Sequence, residues 1–190
     1  MSDLYPAFLK LEGRSVVLVG GGRVARAKLP SLLAAGARVL VVAPAIDPEI
    51  AASGVALERR RFVPADLDGA WLAVAAATPE ANREVARAAE PRRVFVNAVD
   101  DPASASAYLG GVVRKGGVVL AVSTGGRAPA LAGLLREALE ATLPDDVGAW
   151  VEAAAALRSR QKAAGLPMER RRPALLEELN RIYYREEVRA

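Results

Sequence analysis

The chain has 190 residues, 52% of them hydrophobic and 25% charged, enough to bury a core as one large or two small domains. It contains neither cysteine nor histidine, which excludes disulfides, thiolate nucleophiles, serine–histidine triads and nearly all zinc or haem ligation, and leaves proton transfer to a carboxylate, Tyr, Lys or the substrate itself. The formal net charge of +4 suits an anionic partner, either nucleic acid or a polyanionic small molecule, although an Ala/Arg-biased composition explains it equally well.

The opening Met1-Ser2-Asp3-Leu4-Tyr5-Pro6 lacks the basic and apolar regions of a secretory signal, and no apolar run nears the ~20 residues of a membrane span. The expected setting is cytoplasmic. Residues 15–100 then alternate short β-branched runs with helical stretches, the pattern of a parallel sheet covered by helices. Strands are expected at 15–19, 38–42, 55–60, 71–76 and 93–97, and helices at 23–35, 46–53 and 79–89. The third strand ends in Glu58-Arg59-Arg60, which makes it an edge strand. Gly36 caps the end of the first helix, and Thr78-Pro79 opens the last.

Past Asp100 the texture changes. Runs 107–113 and 118–123 flank Arg114-Lys115-Gly116-Gly117 as a hairpin, followed by helices at 129–142, 145–164 and 168–188. The fold class is therefore α/β, a Rossmann-like doubly wound sheet followed by a β-plus-helix segment and a small helical domain, divided at 1–106, 107–143 and 144–190. From residue 151 onward nine Arg/Lys stand against six Glu, a solvated helix face in the first instance. Aromatics make up only 5% of the chain, which offers no stacking platform for nucleic acid.

The sharpest motif is Gly20-Gly21-Gly22-Arg23-Val24-Ala25, a G-x-G-x-x-A turn between a strand and a helix. Gly20 permits the tight turn, Gly22 lets a pyrophosphate approach the backbone, and Ala25 lets helix and strand pack. A dinucleotide fold usually ends its second strand with an acid for the ribose, but here Val42-Ala43-Pro44 stands there and the nearest acid is Asp47. No Arg replaces it, so NADP is not favoured. Either the backbone near Pro44 and Ala45 holds the ribose, or another nucleotide binds.

Asp100 follows the buried run Val94–Val99, at the strand end where such sheets bind ligands. A partly desolvated carboxylate there is a proton acceptor; alternatively Asp100 or Asp101 caps the segment before Pro102. Ser123-Thr124-Gly125-Gly126, ahead of a helix, reads either as an anion nest or as a hydroxyl-rich helix cap. No Tyr is followed four positions later by Lys, which argues against short-chain dehydrogenase chemistry.

These motifs, with Trp71-Leu72-Ala73, Ala77-Thr78, Asn97-Ala98-Val99-Asp100, the run Ala121–Pro129, Leu134-Leu135-Arg136 and Glu169–Arg172, resemble the precorrin-2 dehydrogenase/sirohydrochlorin ferrochelatase family nearly end to end. That family also forms the N-terminal module of siroheme synthase. The resemblance implies a homodimer, with no nucleic-acid or membrane partner, that uses NAD to oxidise precorrin-2 to sirohydrochlorin for siroheme synthesis, with cobalamin synthesis as a second destination. It implies Asp100 as the catalytic residue; Gly20, Gly22, Arg23, Val24, Pro44, Ala45 and Thr78 as the NAD site; and Ser123, Thr124, Gly125, Gly126 and Arg127 as the site for substrate carboxylates, with Arg136 a further candidate. Two alternatives accompany it. One is a bifunctional enzyme that also inserts Fe(II), with Asp100 serving both reactions and no other metal residue fixed. The other is an NAD-sensing module without chemistry of its own.

Overall fold

The computed structural model describes residues 4–187. Residues 1–3 and 188–190, on which the start of the N-terminal reading and the end of the last helix fall, lie outside the described residues. The chain divides into two compact units, Met1–Leu109 with Gly125–Arg127, and Gly110–Thr124 with Ala128–Ala190.

In the first unit, β1 (Ser15–Val19), β2 (Arg38–Val42), β3 (Ala56–Glu58), β4 (Leu72–Ala75) and β5 (Phe95–Ala98) form one sheet in the order β3-β2-β1-β4-β5. Every pairing in it is parallel. Alternation along each strand sends side chains to two separate cores. On one face Val16, Leu18, Val39, Val41, Leu72 and Val74 pack with Ala25, Leu29 and Leu32 of α1 (Arg23–Ala34) and Ile50 of α2 (Pro48–Ala52). On the other, Val17, Val19, Ala73, Ala75, Val96 and Ala98 pack with Val85, Ala88 and Ala89 of α3 (Pro79–Ala89). The expected α/β sheet covered on both faces is therefore present. β3 lies at its edge but is shorter than 55–60, because Arg60 turns away to pair with Asp66 at 2.6 Å.

Local signals account for the element ends. Gly36 (φ +74) closes α1, with its N–H on Leu33 and the Ala37 N–H on the Leu32 carbonyl. The Thr78 hydroxyl accepts the Ala81 N–H at 3.3 Å to start α3.

The second unit holds a hairpin of β6 (Gly111–Lys115) and β7 (Val118–Val122), with α4 (Pro129–Thr142), α5 (Val147–Ala163) and α6 (Met168–Glu187). Arg114 and Lys115, expected in the turn, belong to β6 instead. The turn is Gly116-Gly117 alone, with φ +52 and +81, the pair of left-handed residues that a tight two-residue hairpin demands. Lys115 runs out of the strand to the Leu143 carbonyl (2.8 Å) and to Asp145 (2.7 Å), tying the hairpin to the segment after α4. Among the described residues no helix is long and apolar enough to cross a membrane.

Candidate active site

The sheet order places β1 between β2 and β4, so the connections that leave β1 and β4 run in opposite directions at the carboxyl edge and open a crevice there. Hydrogen bonds continue one residue beyond the strands: Gly20 N–H to Val42 (3.0 Å), Ala76 N–H to Val19 (2.8 Å), Ala43 N–H to Glu58 (3.1 Å) and Val99 N–H to Ala75 (2.9 Å). They hold four loops level along one edge: Gly20–Gly22, Ala43–Asp47, Ala76–Thr78 and Val99–Asp100.

The glycines do different work. Gly20 has φ +125, and a Cβ there would collide with the Ala76 carbonyl; a Cβ on Gly21 would strike the Ala45 carbonyl oxygen and come within 2.9 Å of the Ile46 Cα. Gly22, at φ −95, faces open space, with nothing within 4 Å of where a Cβ would stand. The first two glycines let three loops nest together, and the third leaves an anion room at the start of α1. No side chain caps that helix, and no acid lies in its first turn. Arg23 and Val24 are exposed on the same turn, while Ala25 is fully buried beneath it. This cradle fits a dinucleotide pyrophosphate.

The Asp47 carboxylate has partners within the protein. One of its carboxylate oxygens accepts the Glu49 N–H at 2.9 Å to start α2, and the other faces Arg26 at 3.4 Å. Its own N–H bonds the Gly21 carbonyl at 2.8 Å. Arg26, which also pairs with Glu49 at 2.7 Å, thus ties the loop after β2 to the glycine turn. Pro44 and Ala45 are exposed on that loop.

Asp100 sits in a turn that the Asp101 N–H closes on the Ala98 carbonyl at 3.5 Å. Its φ is +57, a left-handed conformation uncommon for any residue with a Cβ and better tolerated by Asp and Asn than by most. Capping falls to Asp101, which accepts the Ser104 N–H at 3.3 Å. Asp100 is exposed, not partly desolvated as expected, because the turn lifts it clear of the sheet edge. Among the described residues its carboxylate makes no hydrogen bond or ion pair. Two buried asparagines brace the neighbourhood. Asn97 donates to the Ala107 carbonyl at 3.0 Å, and Asn82 accepts the Ala77 N–H at 3.1 Å while donating to the Val99 carbonyl at 3.4 Å.

The remaining candidates divide. The Thr78 side chain is engaged at the helix start, where it also bonds Glu80 and helps hold that carboxyl below its ordinary value, second to the Glu80 backbone. Gly126 (φ +76) lies in the first unit, where a Cβ would come within 2.9 Å of Pro102 and 3.3 Å of Tyr108; it therefore sits against the residues that follow Asp100. Gly125 and the exposed Arg127 flank it. Ser123 and Thr124 belong to the second unit, where the Thr124 hydroxyl accepts the Ala128 N–H at 3.1 Å ahead of α4. Arg136 spends its guanidinium on Glu140 (2.6 Å) and Glu137 (3.0 Å) of its own helix. Among the described residues no three acidic side chains gather as a metal site. Arg26 and Asn82 escape a motif reading. The one signal for Asn82 is a polar residue on the buried stripe of α3 that also carries Val85, Ala88 and Ala89.

A family model described as "Putative NAD(P)-binding" matches residues 7–111. Siroheme synthase 1 of Aeromonas salmonicida is 45% identical over 175 residues, 90% of this chain and 37% of that protein. Siroheme synthase of Citrobacter koseri is 43% identical over 175 residues, again 90% of this chain and 38% of its own length. The chain thus spans little more than a third of the curated relatives it matches. The solved structure of SirC, precorrin-2 dehydrogenase, has the same fold, with a TM-score of 0.69 at 24% identity over 92% of this chain and 88% of that one. The chain belongs to the NAD(P)-binding family defined by that domain and is a homologue of siroheme synthases over 90% of its length.

Proposed function

We propose that the protein is an NAD-dependent precorrin-2 dehydrogenase producing sirohydrochlorin for siroheme synthesis. The observation that carries the proposal is Asp100: an uncommitted carboxylate on a left-handed backbone, at the carboxyl end of the sheet whose neighbouring turn fits a dinucleotide. The names of its homologue and of its structural neighbour supply the substrate. NAD held at the glycine turn would supply the acceptor for the hydride that leaves a ring carbon of the macrocycle. Asp100 takes the proton released with it, so two electrons and one proton pass to the cofactor and one proton to the protein.

Gly20, Gly22, Arg23 and Val24 receive the pyrophosphate side, and Pro44 and Ala45 the adenosine side through backbone groups, since Asp47 is engaged elsewhere. Thr78 contributes through its backbone. Ser123, Thr124, Gly125, Gly126 and Arg127 receive carboxylates of the macrocycle, helped by the net positive charge. The working form is a cytoplasmic homodimer. In the second unit Val112, Val119, Leu131, Leu134, Leu135 and Leu139 are 37–64% exposed, while Val113, Ala132 and Val147 are its only buried apolar residues among the described ones. Such a surface needs a partner.

The test is anaerobic incubation with enzymatically made precorrin-2 and NAD. Formation of NADH together with the sirohydrochlorin spectrum is expected from the wild type and not from Asp100→Ala; an active Asp100→Ala enzyme overturns the role given to Asp100.

A further inference from the structure

We infer that Asn82 is a positioning residue for Asp100, acting through the peptide that joins Val99 to Asp100; the inference rests on the reaction proposed above. Asn82 lies in the first turns of α3 and is only 3% exposed. An amide buried that deeply costs free energy unless its polar atoms are bonded. Both of its bonds go to site loops: one to Ala77, beside the cofactor candidate Thr78, and the other to Val99, beside Asp100.

The second bond has a mechanical consequence. The Val99 carbonyl and the Asp100 N–H share one rigid peptide plane, so fixing the carbonyl limits rotation about the Asp100 N–Cα bond. That rotation carries the Asp100 carboxylate. At φ +57 the turn is held against a local preference for negative φ. The other bonds of the turn, Val99 N–H to Ala75 and Asp101 N–H to Ala98, leave the plane between them free to flip. Among the described residues, the side chain bonded to that plane is Asn82. One amide therefore couples the loop after β4 to the carboxylate after β5.

Asn82→Asp separates the two bonds. It keeps an acceptor for the Ala77 N–H and replaces the donor to Val99 with a second oxygen. NAD affinity, read by titration, should stay within about threefold of wild type, while kcat with precorrin-2 falls by about tenfold to a hundredfold. Amide exchange should quicken at Asp101, whose N–H closes the turn on Ala98, but not in β1. Asn82→Ala, which brings no buried charge, should show the same faster exchange and weaker NAD binding as well. Wild-type kcat in a folded Asn82→Asp enzyme would overturn the inference, as would equal losses of NAD affinity and kcat, the mark of a merely structural role. If the wild type itself does not oxidise precorrin-2, the proposed reaction fails. Exchange at Asp101 then decides the positioning role by itself: unchanged exchange in both variants overturns it, and faster exchange upholds it.

Discussion

Asp100 carries two separable properties, a carboxylate and a left-handed backbone, and substitutions can part them. Asparagine tolerates the same conformation, so Asp100→Asn should fold with unchanged thermal stability and bind NAD normally, yet lose about 10²–10⁴ in kcat. Glycine relieves the conformation, so Asp100→Gly should gain up to about 1 kcal/mol in urea unfolding while remaining inactive. The glycine turn offers a similar contrast. Gly22→Ala meets open space at an ordinary φ, so stability should hold while NAD affinity drops by about tenfold or more, an effect read by titration. Gly21→Ala meets the Ala45 carbonyl and should cost about 1–3 kcal/mol of stability.

Among the elements, the end of β3 has its own electrostatic fastening. The Asp66 carboxylate, its side chain only 5% exposed, takes two hydrogen bonds from Arg60 (2.6 and 2.9 Å) and one from the Val63 N–H (2.9 Å). The hydrogen bond from Arg60 is the main cause of a carboxyl held below its ordinary value. A depressed folded-state value means that this stabilisation is present above pH ~4, where the unfolded group is ionised, and is lost as pH falls through the folded value. Asp66→Asn should therefore be less stable than wild type near neutrality, by about 1 kcal/mol, with the gap closing in acid; a pH-independent gap in denaturant unfolding would contradict this. Much at this scale was legible. β1, β2, α3 and α4 stand at their expected bounds because short β-branched runs, Thr78-Pro79 and Pro129 are local signals. The first hairpin strand, expected at 107–113, starts four residues later and ends two residues later, because Arg114 and Lys115 look like turn residues until the pairing of β6 with β7 is seen. The bond from Asn82 to Val99 spans 17 residues, a contact that no local pattern records.

For the whole molecule, the two units differ in how they bury apolar surface. The first has a core on each face of its sheet, including Leu18, Ile50 and Leu67 at 0% exposure, and Leu18→Ala there should cost about 2–5 kcal/mol. The second leaves the leucines of α4 outside, with Leu134 at 64% exposure. If these leucines form the dimer face, Leu134→Glu should shift the protein to a monomer in sedimentation equilibrium; an unchanged assembly state would place the interface elsewhere. The exposed face also follows from sequence only in part, since the apolar stripe of α4 reads as core until its surroundings are known. The most direct measurement of the central claim is anaerobic turnover of precorrin-2 with NAD by wild type and Asp100→Asn side by side, with NAD binding measured on both. Wild-type NADH and sirohydrochlorin formation, abolished in a variant that still binds NAD, is the predicted result. NAD binding with no turnover by the wild type would contradict it and leave a nucleotide-sensing module.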